Sequence, residues 1–372
     1  MSRMHASLSA IAILMGGTAM ADVPNVAVDI APVHSLVARV MDGVGTPSLI
    51  LPPGASPHGY SLRPSEAAAL QDADIVVWMG EDLAPWMEGA VDTLAGDAAV
   101  LTLLEAEETT LLNFREGALF EAHDHGDHDD HDDHDDHDDH DDHDDHDDHD
   151  DHDGHDDHDD HDDHDEHDDH DDHDDHDGHD DHDDHDDHDD HAADDGHDDH
   201  DHGAHDPHAW LSPTNASAWL NLIAAQLSSS DPENAGAYFA NAAAAQAEME
   251  ALATEVDEIL DPVRGGSFVV FHDAYQYFET DFDFPATGAI SLGDATDPSP
   301  ARIAQIQDRV VDEGIVCVLA EPQYNPNLVD TVLQGTDANT GVIDPLGVAL
   351  EPGPTLYPEL IRNMATTLAD CF

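Results

Sequence analysis

The chain has 372 residues, of which 88 are Asp or Glu and only eight are basic, for a formal charge of −80 at pH 7. All eight basic residues are arginines. Such a surface repels nucleic acid and anionic lipid and draws in cations, which excludes the nucleic-acid-binding classes; adaptation to salt is a competing cause of the acidity.

Arg3 and His5 precede an apolar run from Leu8 to Gly17, and Ala19-Met20-Ala21 has the small-x-small pattern of a signal-peptidase site. This predicts a signal peptide over residues 1–21 and an exported mature chain beginning near Asp22. The apolar run falls short of the ~20 residues that a membrane span needs, and no second candidate follows, so no membrane insertion of the mature chain is expected.

Val26–Ile30 reads as a short buried strand, followed by a helix from about Ser35 to Met41. A second strand, Ser48–Leu51, is stopped by Pro52-Pro53-Gly54. Pro64–Gln71 reads as a helix, Ile75–Gly80 as a buried strand and Pro85–Leu94 as a helix. Short βα units in series imply a parallel sheet with helices on both faces.

Residues 123–205 then repeat the triplet His-Asp-Asp, with 28 of the 33 histidines and 47 acidic residues. The segment has no Lys, Arg, Phe, Trp or Tyr and cannot bury enough surface to offset its ordering entropy, so disorder is expected. Its imidazoles offer ligands for zinc, copper or nickel, from His123, His125, His128, His131 and His134 at one end to His197, His200, His202 and His205 at the other. A solubilising acidic tract is the plainer alternative, but solvation does not call for histidine at every third position. The interleaved aspartates favour protonated imidazole, so metal capture by this accessory loop should weaken as pH falls.

After the repeat, Pro213–Leu227 reads as a helix. Asp231-Pro232-Glu233 is a helix start, with an N-cap followed by proline at the first position, and the pattern runs to Leu260, where Pro262 and Gly265-Gly266 stop it. About 30 residues would make a helix of roughly 45 Å, enough to join two lobes. A second βα series follows: strands at Ser267–Phe271, Ile315–Leu319 and Gly341–Ile343, and helices at Ala301–Glu313, Leu328–Gln334 and Pro358–Asp370. The expected architecture is α/β, with an N-terminal lobe over 22–228 carrying the disordered insert, a linking helix over 229–262 and a C-terminal lobe over 263–372. The only cysteines, Cys317 and Cys371, favour a single disulfide in an exported chain. Two free thiols or a thiolate metal site are the alternatives.

Three histidines stand apart from the repeat. His58 lies in Gly54-Ala55-Ser56-Pro57-His58-Gly59-Tyr60, His208 in Asp206-Pro207-His208-Ala209-Trp210, and His272 ends a strand in Val269-Val270-Phe271-His272-Asp273. Ligands of α/β lobes bind outside the carboxyl ends of strands, where these residues fall. Each alone reads as a structural histidine; together they read as one site assembled from both lobes. His34, near the start of the first helix, is read as structural.

These segments resemble the signatures of the periplasmic zinc-binding receptors of ABC importers, the ZnuA type. The resemblance runs in order through Gly54–Pro64, Ala73–Gly80, Asp206–Pro213, Phe271–Phe278, Glu321-Pro322-Gln323 and Ile343–Gly347, and spans nearly all of the mature chain. It implies two α/β lobes joined by a rigid helix, with one Zn2+ in the cleft held by His58, His208 and His272. It also implies a disulfide at Cys317 and Cys371, and a histidine-rich loop where the repeat lies. Some members place Glu before the first histidine; Pro57 stands there in this chain. Asp344 is the candidate fourth ligand, with water as the alternative. The implied role is a monomeric periplasmic receptor, not an enzyme, that delivers zinc to a permease with its ATPase. Three imidazoles suit zinc better than manganese, whose sites prefer oxygen. The rival readings are an extracytoplasmic zinc buffer, a receptor for manganese, nickel or iron, and a zinc hydrolase using His272 with Asp273 or Glu321. The chain has no His-Glu-x-x-His and no Gly-x-Ser-x-Gly to support the last.

Overall fold

Two runs of short apolar strands alternate with helices, and each run forms a four-stranded sheet. The computed structural model describes residues 23–115, 120, 205–291 and 298–372, all within one unit. The signal segment at 1–21 and the repeat histidines from His123 to His202 lie outside the described residues.

The first sheet holds β1 (Val26–Val28), β2 (Ser48–Leu49), β3 (Ile75–Trp78) and β4 (Ala99–Thr102) in the order β2-β1-β3-β4. The second holds β5 (Phe268–His272), β6 (Gly288–Ser291), β7 (Cys317–Ala320) and β8 (Asn339–Val342) in the order β6-β5-β7-β8. Every pairing is parallel. In both sheets the strand order reverses between the two central strands, β1 and β3 or β5 and β7. Such a reversal opens a crevice at their carboxyl ends.

The central strands β1, β3, β5 and β7 are apolar on both faces because each face meets a different layer. Val26, Val28, Ile75 and Val77 join the inner core, while Ala27, Val76 and Trp78 face an outer cluster with α2 (Pro64–Gln71) and α3 (Pro85–Leu94). Phe268, Val270, Cys317 and Leu319 join that same inner core, while Val269, Phe271 and Val318 face α7 (Pro300–Asp312) and α8 (Pro326–Leu333). The inner core is completed by α1 (Ala31–Val40), α4 (Pro213–Ser230), α5 (Ala235–Leu260) and α9 (Leu356–Cys371). One continuous core therefore serves both lobes, which opposes free swinging of one against the other.

The long helix α5 has 26 residues, about 39 Å at 1.5 Å each, and begins later than the sequence suggests. Asp231 is not its N-cap. The carboxylate is buried and accepts from Asn234 Nδ2 at 2.6 Å and Tyr238 Oη at 2.9 Å, so residues 231–234 form a turn between α4 and α5. Strands β4 and β6 and the short helix α6 (Gln276–Asp281) went unread. The first is exposed at the sheet edge, the second opens on glycine, and the third is too short for a helical period.

Cys317 on β7 is disulfide-bonded to Cys371 at the end of α9, 54 positions apart. Both are buried. Replacing both with alanine should lower stability by about 2–4 kcal/mol, through greater freedom of the unfolded chain and the lost link between β7 and α9. Urea unfolding of the oxidised chain and the variant measures it. A loss under about 0.5 kcal/mol would mean that Leu360, Met364 and Leu368 hold α9 unaided.

Candidate metal site

The crevice of the second sheet places the first ligand. Side chains alternate along β5, so His272 points to the same side as Phe268 and Val270, toward the shared core. Glu321 follows directly after β7, the strand beside β5, and its Oε1 accepts both the backbone N–H of His272 (3.2 Å) and ring Nδ1 (2.7 Å). A carboxylate can only accept, so Nδ1 carries the proton and Nε2 keeps its lone pair for a metal.

His208 is held in the same way by a local turn. Asp206 Oδ1 accepts its backbone N–H at 2.9 Å and its Nδ1 at 2.7 Å. Although His208 comes from the N-terminal half, the C-terminal half fixes its segment. Tyr277 Oη donates to Asp206 O (2.7 Å), Tyr357 Oη donates to Trp210 O (2.9 Å), and Trp210 Nε1 donates to Pro345 O (2.8 Å). His58 is different. It lies half-buried in the loop between β2 and α2, its N–H bonded to Ser56 Oγ at 3.3 Å and its loop tied by Trp86 Nε1 to Pro57 O at 2.6 Å.

The three residues converge, with one ring nitrogen of each within 4.8 Å of the others. Ring centroids of His58 and His272 lie 5.4 and 5.3 Å from that of His208. They line a cavity of about 300 Å³ together with Trp210, Gln323 and Tyr324. Three imidazoles facing one point, two with carboxylate-fixed tautomers, form a donor set for a tetrahedral, nitrogen-preferring ion such as zinc.

Asp344 does not join them. Its Oδ1 accepts from the N–H groups of Leu346 (3.1 Å) and Gly347 (3.0 Å), and its Oδ2 from Val348 (2.6 Å). The carboxylate organises the turn after β8, in which Gly347 takes the left-handed φ of 71°. Among the described residues the cluster contains only the three histidines. His205, the last repeat histidine and the only described one, forms a bridge with Asn113 outside that cluster. His34 lies buried with Nε2 3.2 Å from Pro47 O, also apart from it.

Sequence reasoning missed the two carboxylates that orient the rings, and it missed Arg115. That guanidinium, at the base of the insert, pairs with Asp273 and with Glu279 (2.7 Å) beside the cleft. Burial raises the Asp273 carboxyl to about 6, with Arg115 opposing the rise. For Asp206 a local signal existed, a carboxylate two residues before a histidine; Glu321 and Arg115 act across distant parts of the chain.

A family model described as the zinc-uptake complex component A, periplasmic, ZnuA, matches residues 26–371. The chain belongs to the ZnuA family. The high-affinity zinc uptake system protein ZnuA of Brucella abortus is 44% identical over 374 aligned positions, covering 100% of this chain and 99% of the relative. That of Paracoccus denitrificans is 43% identical, covering 95% and 93%. A crystal structure of ZnuA superposes with a TM-score of 0.63 at 18% identity, covering 94% of this chain and 99% of the other. The manganese complex of the binding protein FpvC from Pseudomonas aeruginosa shares the ZnuA-type fold at 0.63 and 16%, covering 94% and 97%. No helix among the described residues is long and apolar enough to cross a membrane.

The ring-orienting carboxylates of this ZnuA-family chain give a specific test. Glu321→Gln or Asp206→Ala should weaken zinc binding in the cleft roughly 10- to 100-fold while leaving the three histidines in place. Competition against a zinc-chelating dye reads this. Affinities within twofold of the parent would mean that the carboxylates only support the fold.

Proposed function

We propose that this chain is the extracytoplasmic receptor of a zinc importer. It captures Zn2+ on His58, His208 and His272 and delivers it to an ABC permease. The observation that supports this most directly is the convergence of three imidazoles from separate segments, two of them set by carboxylates to present Nε2. Family membership supplies the transport setting. A delivery protein must also release its cargo, and an exchangeable fourth ligand serves that better than a closed all-protein cage. The fourth position therefore goes to an exogenous donor, with Asp344 outside the cluster and holding the turn after β8 through backbone N–H groups.

The insert then acts as an accessory that gathers zinc near the cleft. The hydrolase alternative has no ready base: Asp273 is paired with Arg115, and Glu321 is committed to His272.

The test is a zinc and manganese titration of the full chain beside a version with residues 123–205 replaced by a short linker. One tight zinc site is expected to survive in the shortened chain, with manganese bound far more weakly. Loss of the tight site with the insert would instead favour a zinc buffer in which the repeat is the functional part.

A further inference from the structure

The cleft is much larger than its proposed cargo needs. One water molecule takes about 30 Å³, so an ion with a single water would fill a small part of the 300 Å³ cavity. Cavities of about 300–1,000 Å³ with apolar walls and a few convergent polar groups are the size and character of small-molecule sites. Trp210, Tyr324, Pro345 and Leu346 provide such walls around the three imidazoles.

One polar group in the lining has no other assignment. The Nε2 of Gln323 donates to Asp344 Oδ1 at 3.4 Å, and a carboxylate fixes that end of the amide as the donor. Its Oε1 is buried and accepts no hydrogen bond. An acceptor in that state is matched by a ligand carrying an N–H or O–H group. The lining contains no Lys or Arg and includes Glu321, which disfavours polyanionic chelators such as citrate.

We infer that the cleft takes zinc as a complex with one small amino-acid chelator, and that Gln323 accepts the chelator's N–H. Resting on the zinc-receptor reading above, this names the form in which the cargo is held. The chelator supplies two donor atoms, its amine together with its carboxylate or side-chain nitrogen, so that zinc becomes five-coordinate with the three imidazoles. Its body packs against Trp210, Tyr324 and Leu346. No bond other than metal coordination forms or breaks.

L-Histidine is the probe. The full chain, loaded with zinc and equilibrated with labelled L-histidine, is dialysed and analysed for zinc and label, beside Gln323→Leu and His272→Ala. The expected result is one additional histidine per chain in the parent relative to His272→Ala, so that binding by the insert cancels. In Gln323→Leu the affinity for histidine should fall roughly tenfold, as expected when one buried hydrogen bond is lost. Gln323→Ala serves if the leucine variant does not fold. Zinc held in the cleft with no histidine, histidine that only strips zinc, or citrate retained in its place would each overturn the inference and leave the receptor reading standing. Tight zinc that persists in His272→Ala would remove both.

Discussion

Replacing His272 or His208 with alanine is expected to weaken the tight zinc site by more than about a hundredfold. Zinc sites of four ligands yield roughly 10–16 kcal/mol in total, so one ligand carries about 3 kcal/mol. Both rings are already oriented in the protein, by Glu321 and Asp206 at 2.7 Å, and give up little rotational freedom when the ion arrives. His58 sits on a half-buried loop and must be ordered on binding, which offsets part of what its coordination contributes. His58→Ala should therefore be the mildest of the three, though still a loss of at least tenfold. His34→Gln is the control, since that side chain lies near Pro47 outside the cluster. Chelator competition on the full chain separates the tight component from weaker binding by the insert. A tight component unchanged in all three alanine variants would place the high-affinity zinc in residues 123–205 and end the cleft reading.

The parts of this molecule that were legible in the sequence are those set by local pattern. The continuous apolar runs at Val26, Ile75, Ser267 and Ile315 gave the central strands because those strands are covered on both faces. The three isolated histidines were legible because each ends a strand or sits in a turn, and the convergence of their rings follows from the two-sheet architecture. Edge strand β4 was not legible, since half of it faces solvent and carries no buried run. The pairing of Glu321 with His272 depends on β7 lying beside β5, a strand order that no local spacing encodes. Asp344 has a partner set of the same hidden kind. A carboxylate near a strand end suits a metal, but the following turn supplies three N–H groups that compete for it. Arg115 bridges 158 positions to Asp273 and has no sequence signature at all.

The same strand order places an acid across the crevice of the first sheet, and this one governs stability against pH. Asp29 directly follows β1; its Oδ1 accepts from Ile30 N and its Oδ2 from Met79 N, just beyond β3, each at 2.7 Å. Glu321 spans the equivalent junction of the second sheet and aims a ligand, whereas Asp29 only ties two strand ends together. Asp29 is 1% exposed, and burial pushes its carboxyl up to about 7 from 3.8, with the backbone N–H bonds opposing. The folded-state value is raised, so the native state holds a proton that the unfolded chain releases. The corresponding stability is fully present below about pH 3.8 and is lost as pH rises through 7. A shift of this size corresponds to on the order of 4 kcal/mol. Asp29→Asn cannot titrate. The stability of the parent minus that of the variant should thus be largest near pH 4 and fall by that order toward pH 8, in urea unfolding of the zinc-free proteins. Groups common to both chains cancel in this difference, so a pH-independent gap would show that Asp29 is ionised throughout and that its two N–H bonds outweigh its burial.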